Sequence, residues 1–207
     1  TEQGFKVAYD PRVFEQYRYF AGRDEARLQE LRLALLDDAA KAIWMARGGY
    51  GAARLLTGLD SNLLRRHPKW LVGFSDATVL HCLWYRAGFC SIYGANVTTL
   101  GDWSTLARQE LFELLQNKAS KTLHGEVAIA GQGTPVRAPL VGGNLTVLAS
   151  LAGTGFLPNF RGAIVALEDV GEMPYRLDRS LTQLRLAGIF DGVLGFCIGQ
   201  LTRCGEG

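Results

Sequence analysis

The chain has 207 residues, 48% hydrophobic and 20% charged, with a formal net charge of +2 at pH 7. This is ordinary globular composition with room for one large or two small domains, and it offers no electrostatic case for a nucleic-acid or membrane-surface partner. No run is long enough to span a bilayer, no signal peptide is visible, and three distant histidines with four scattered cysteines give no metal-ligand spacing.

Residues 4–10 read as a strand. Residues 24–38 carry Leu28, Leu31, Leu33, Leu35 and Leu36 at roughly helical spacing, with charges opposite. A short strand is expected at 42–46, followed by a turn with Gly48, Gly49 and Gly51 and a helix through Leu56. Glycines in such a turn permit positive φ and close approach, and they leave N–H groups for an anion or a carbonyl oxygen. A tight strand-to-helix turn needs glycine in any case. Neither a dinucleotide fingerprint nor a phosphate-binding Gly-Lys-Ser/Thr is present.

Residues 70–81 follow with an apolar run ending at Gly73, then Ser75 and at once a helical pattern. Gly-x-Ser-x-Ala at a strand-turn-helix reads as a nucleophile elbow, with the hydroxyl at the tip and the helix N-terminus behind it. The plainer alternative is that Ser75 or Asp76 caps the helix. A short strand at 91–94 and a helix at 105–116 complete the first part. Alternating strands and helices argue for a parallel sheet with flanking helices.

The composition changes near Asn117. Residues 117–138 are polar and glycine-rich, with one short strand at 127–129, and read as a linker. Gly142-Gly143-Asn144 opens an apolar helix at 145–151, with Asn144 as its N-cap. A strand at 163–167, a helix at 176–186 and a strand at 193–198 follow. Cys82 and Cys197 lie in apolar segments and are expected to be buried thiols. Reduced cysteines suit a cytoplasmic protein, with a disulfide left open.

Four segments occur together: Ala46-Arg47-Gly48-Gly49-Tyr50-Gly51, Gly73-Phe74-Ser75-Asp76-Ala77-Thr78, Val141-Gly142-Gly143-Asn144-Leu145-Thr146, and Leu167-Glu168-Asp169-Val170-Gly171-Glu172, the last running on into Pro174-Tyr175-Arg176-Leu177-Asp178-Arg179. This combination resembles the LD-carboxypeptidases, bacterial serine peptidases that include muropeptide enzymes and microcin C self-immunity peptidases. The resemblance implies an α/β fold, with an N-terminal parallel sheet and flanking helices at 1–116, a linker at 117–138, and a smaller C-terminal α/β domain at 139–207. It also implies further chain at both ends, a homodimer, and no metal or organic cofactor. Ser75 takes the place of the family nucleophile and Glu168 that of the triad acid.

Strand alternation sets Glu168 on the face of Ile164 and Ala166, at the end of an apolar strand. A structural ion pair with Arg176 or Arg179 is the alternative. A serine hydroxyl needs a base, and that base needs an orienting acid. His81 lies about 9 Å of helical rise and about 600° of rotation beyond Ser75, on another face. His67 reads as surface and His124 as linker. The family histidine is therefore expected beyond Gly207.

The backbone N–H groups of Asp76 and Gly49 are the candidate oxyanion donors, with Gly48 as neighbour. Asp76 itself is expected to cap its helix. Arg47 is a candidate for a substrate carboxylate, or an ion pair bracing the turn. Gly48 and Asn144 complete the substrate-binding candidates. The expected activity is hydrolysis of the L,D bond before a terminal D-residue in a peptidoglycan-derived peptide. Its rivals are a self-immunity peptidase and a non-catalytic module that holds an anion on the glycine turn.

Overall fold

Strands β1 (Ala42–Trp44), β2 (Trp70–Gly73) and β3 (Ile92–Tyr93) lie side by side in that order, all parallel. The computed structural model describes residues 4–118, 124–127 and 135–205. Central Leu71 and Val72 are both fully buried, as expected of a parallel strand covered on both faces. Helices α1 (Asp24–Leu36), α2 (Ser61–Arg66), α3 (Thr78–Ala87) and α4 (Thr105–Leu115) surround this sheet.

Helix α3 is the most deeply buried of these. Thr78 through Trp84 are all buried, and Trp84 Nε1–H donates to Lys69 O at 2.9 Å. Gly88, at φ +89°, ends the helix in the left-handed conformation that glycine adopts freely. Each fully buried large apolar side chain here contributes about 1.5–3 kcal/mol of transfer free energy.

The second sheet has β4 (Leu140–Asn144), β5 (Ile164–Val170) and β6 (Gly195–Thr202), again parallel and in that order, with α5 (Leu145–Leu151) and α6 (Pro174–Leu186). Val165, Leu167 and Asp169 face the buried side of β5, and Ile164, Ala166 and Glu168 the other. One apolar core runs from Leu31 and Leu35 through Val79, Leu80 and Trp84 to Val141, Leu148, Val165 and Leu184. Both sheets therefore contribute to this core, while Val72, Ile92, Ala95 and Leu111 form a second, smaller one.

Several sequence expectations are corrected. Residues 4–10 form no strand: Asp10 instead caps a single 3-10 turn (Pro11–Phe14), and Val7 and Tyr9 are exposed. The segment after the glycine turn is a 3-10 helix (Ala52–Gly58) rather than an α-helix. Gly142 and Gly143, expected to open the helix at 145–151, belong to β4. A Cβ on Gly142 would stand 1.8 Å from Ala166 O, so the close approach of β5 requires glycine there. Cys197 is exposed, because β6 is the outer strand of its sheet and nearly all its side chains are uncovered among the described residues; Cys82 is buried. Strand β5 continues past Glu168 to Val170. Part of the strand expected at 127–129 lies outside the described residues.

Candidate active site

The first sheet delivers its site residues from the carboxyl ends of its strands, where open parallel sheets form their crevices. The loop after β2 turns sharply at Ser75, whose φ is +64°. Only four non-glycine residues among those described have positive φ, and a serine there carries strain of about 1–3 kcal/mol. Two hydrogen bonds hold the turn. Phe74 N–H donates to Asn96 Oδ1 at 3.3 Å, and Ser75 N–H donates to Tyr93 Oη at 3.0 Å. The Ser75 hydroxyl itself has no hydrogen-bond partner among the described residues. The turn closes into α3 through a short 3-10 segment (Ser75–Ala77).

The glycine turn after β1 lies against this elbow. Asp76 Oδ2 accepts the Ala52 N–H at 2.8 Å, so Asp76 caps the neighbouring 3-10 helix instead of its own. Burial raises the Asp76 pKa, and the bond from Ala52 partly offsets that. A side chain on Gly48 would begin 3.3 Å from Ser75 Cβ and 3.5 Å from Ser75 Oγ. The same point is 3.3 Å from Asn96 Nδ2, a buried donor with no hydrogen-bond partner among the described residues. Gly49 has φ +124° and faces the Arg47 guanidinium, 3.7 Å from where its Cβ would be. Arg47 is exposed, donates from Nε to Gly48 O at 3.2 Å, and forms no ion pair among the described residues. Its charge therefore stands free at the rim of the turn.

The second sheet contributes Glu168 and Asn144, paired in register on β5 and β4. Glu168 Oε1 accepts from Tyr93 Oη at 2.7 Å. The alternative ion pair does not form among the described residues: Arg176 reaches Glu172 at 3.4 Å instead, and Glu168 has no ion-pair partner there. Asn144 N–H donates to Thr78 Oγ1 at 3.0 Å, and Thr78 Oγ1 lies 3.3 Å from Tyr93 Oη. Both ends of the Asn144 carboxamide are engaged within the protein. Oδ1 accepts the Val147 N–H as the N-cap of α5, and Nδ2 donates to Asp169. This side chain therefore braces β5 against α5. Buried Asp169 also accepts from the Thr146 N–H and hydroxyl, which satisfies its charge locally.

None of the three histidines completes the group. His81 is buried, with Nε2 at 2.8 Å from Gly73 O and Nδ1 at 2.7 Å from Ser91 Oγ. A carbonyl only accepts, so Nε2 carries the proton and Nδ1 accepts from the serine. Burial lowers its pKa to about 4. His67 Nδ1 stands 3.9 Å from Asp38, and His124 is exposed. Among the described residues, no cluster of His, Cys, Asp and Glu is arranged to hold a metal ion.

Sequence reasoning missed Tyr93, Thr78, Asn96 and Asp169. Tyr93 sits on a two-residue strand with no local pattern, and its partners are 15, 18 and 75 residues away. Only Asp169 carried a signal, as a carboxylate on the buried face of a strand.

Two family models match the chain, the LD-carboxypeptidase N-terminal domain over residues 1–94 and the LD-carboxypeptidase C-terminal domain over residues 137–207. A murein tetrapeptide carboxypeptidase of Pseudomonas aeruginosa is 43% identical over 203 residues, covering 93% of this chain. The crystal structure of muramoyltetrapeptide carboxypeptidase from Oxalobacter formigenes superimposes on the whole chain, and on 70% of its own, with a TM-score of 0.83 and 30% identity. An MccF-like protein from Bacillus anthracis str. Ames has the same fold, with a TM-score of 0.82 and 24% identity over 98% of this chain and 70% of its own. The chain spans 65–66% of the length of the curated relatives from Synechocystis sp., Bacillus subtilis and Pseudomonas aeruginosa.

Proposed function

The chain belongs to the LD-carboxypeptidase family, and from that premise we propose that its site hydrolyses the L,D peptide bond before a C-terminal D-amino acid, D-Ala in peptidoglycan-derived peptides. The observation that carries this reading is Ser75. It is a non-glycine residue held at positive φ between a strand and a buried helix, its hydroxyl uncommitted beside the glycine turn. Backbone strain of this kind persists where a side chain must be presented to a ligand.

In this reading Ser75 Oγ attacks the scissile carbonyl while an imidazole takes its proton. The N–H groups of Asp76 and Gly49 receive the oxyanion; Asp76 lies in the first helical turn, where amides lack an intrahelical acceptor. Each such donor supplies about 3–4 kcal/mol of transition-state stabilisation. The tetrahedral intermediate collapses, the imidazolium gives its proton to the leaving amine, and water then cleaves the acyl-serine with the imidazole again as base. Glu168 orients that imidazole through Oε2, the oxygen to which Tyr93 does not donate. The reading assigns the imidazole to a histidine outside residues 1–207. Arg47 pairs with the substrate carboxylate, Gly48 admits the chain beside Ser75, and Asn144 supports the wall formed by α5 and β5.

The proposal keeps the division at 1–116, 117–138 and 139–207, and it includes a cytoplasmic homodimer, which sedimentation and fractionation test. No helix among the described residues is long and apolar enough to cross a membrane. The direct test incubates the full-length protein with a muropeptide ending in D-Ala. Release of D-Ala that Ser75→Ala abolishes is the expected result. No release overturns the proposal and favours the anion-binding module; release undiminished in Ser75→Ala overturns Ser75 as the nucleophile.

A further inference from the structure

We infer that Tyr93 is a positioning residue that fixes the acid and the nucleophile turn with one hydroxyl group. The inference rests on the roles proposed above for Ser75 and Glu168. Its basis is a closed count of donors and acceptors. The Tyr93 hydroxyl has one proton and two lone pairs. Ser75 N–H can only donate, so one lone pair accepts it at 3.0 Å. Glu168 Oε1, as carboxylate, can only accept, so the proton goes there at 2.7 Å. Thr78 Oγ1 already accepts the Asn144 N–H, and its own proton fills the last lone pair of Tyr93 at 3.3 Å.

The bonds therefore all run one way, from Asn144 through Thr78 and Tyr93 to Glu168. They join β4, α3, the elbow, β3 and β5, and so tie both sheets to one oxygen. Gly143 is the space this needs: a Cβ there would stand 2.7 Å from Thr78 Oγ1 and 3.0 Å from Tyr93 Cε2. Donation to Oε1 also leaves Oε2 as the acceptor for an imidazole, which sets the direction from which a base approaches. Among the described residues Tyr93 is the one titratable group bonded to Glu168. Across β4 its register partner is the neutral Asn144, and on the β6 side it meets Gly199. Asp169 points to the opposite face of β5. On α6, Arg176 is committed to Glu172 and Arg179 lies over Tyr175.

Two variants of the full-length protein test this, Tyr93→Phe and a replacement of Tyr93 by difluorotyrosine, which keeps the shape and strengthens the donor. The expected result for Tyr93→Phe is a loss of kcat of at least about tenfold with KM within about threefold, and a rise in the acid limb of the kcat/KM profile. Without the Tyr93 bond Oε1 is released and the carboxylate holds an imidazolium more firmly, so a higher pH is needed to free the base. Difluorotyrosine moves the limb the other way. The 13C carboxyl resonance that disappears in Glu168→Gln gives a readout independent of turnover, and it should move one way in Tyr93→Phe and the other way in the difluorotyrosine protein, relative to wild type. An unmoved resonance in either variant overturns the inference. A resonance that moves in both variants while the wild-type protein hydrolyses no muropeptide overturns the proposed function instead.

Discussion

The Asp76 carboxylate accepts a hydrogen bond from the backbone amide of Ala52, 24 residues earlier in the chain, at 2.8 Å. That bond joins the serine elbow to the glycine turn and sets the separation of the two proposed oxyanion donors. Asp76→Ala removes the cap of the 3-10 helix and should cost about 1–2 kcal/mol of stability. It should also lower kcat/KM more than a loss of stability explains. Asp76→Asn keeps an acceptor and should recover most of both, as thermal denaturation and steady-state kinetics will show.

Gly48 is not among the glycines at positive φ, so its φ does not bar alanine. Its methyl group would nonetheless enter the space beside the Ser75 hydroxyl, at 3.5 Å from Oγ. Gly48→Ala should leave the melting temperature within a few degrees of wild type and reduce kcat/KM at least about tenfold, equivalent to about 1.4 kcal/mol. Equal activity in the two proteins would place the substrate elsewhere.

His81 supplies a pH signature of folding rather than of catalysis. Its pKa falls from 6.5 to about 4 on burial, so the folded state keeps it neutral while the unfolded chain protonates it. The resulting stability is fully present above pH 6.5 and is lost as pH falls toward 4. The magnitude is about 3 kcal/mol. Melting temperature against pH should decline through that window, and His81→Gln should flatten the decline while hydrolysis at neutral pH persists. Abolished hydrolysis in a folded His81→Gln protein would make His81 the base.

The elements around Ser75 were legible in the sequence because the signal is local: an apolar run, a glycine, a serine and a helical pattern follow in order. The positions of Glu168 and the helix cap at Asn144 were legible for the same reason. What failed depended on distant neighbours. Residues 4–10 have strand-like alternation, but among the described residues no strand pairs with them, and alternation without a partner does not make a sheet. Gly142 reads in isolation as part of a helix opening. Its actual cause is Ala166 O lying across the sheet, and Gly142→Ala should cost more than about 3 kcal/mol and abolish cooperative folding on thermal denaturation. Cys197 reads as buried from its apolar flanks, yet its outer strand leaves it uncovered. Tyr93 joins residues on both sheets, and only the folded chain brings these together.

The central claim is that Ser75 is the nucleophile, and covalent labelling tests it without assuming a substrate. The full-length protein is treated with a fluorophosphonate, and the adduct is located by mass spectrometry of its peptides. The account predicts one phosphonyl group per chain, on Ser75, with labelling lost in Ser75→Ala. An adduct confined to another serine, or a protein that hydrolyses muropeptide while Ser75 stays unmodified, would contradict it.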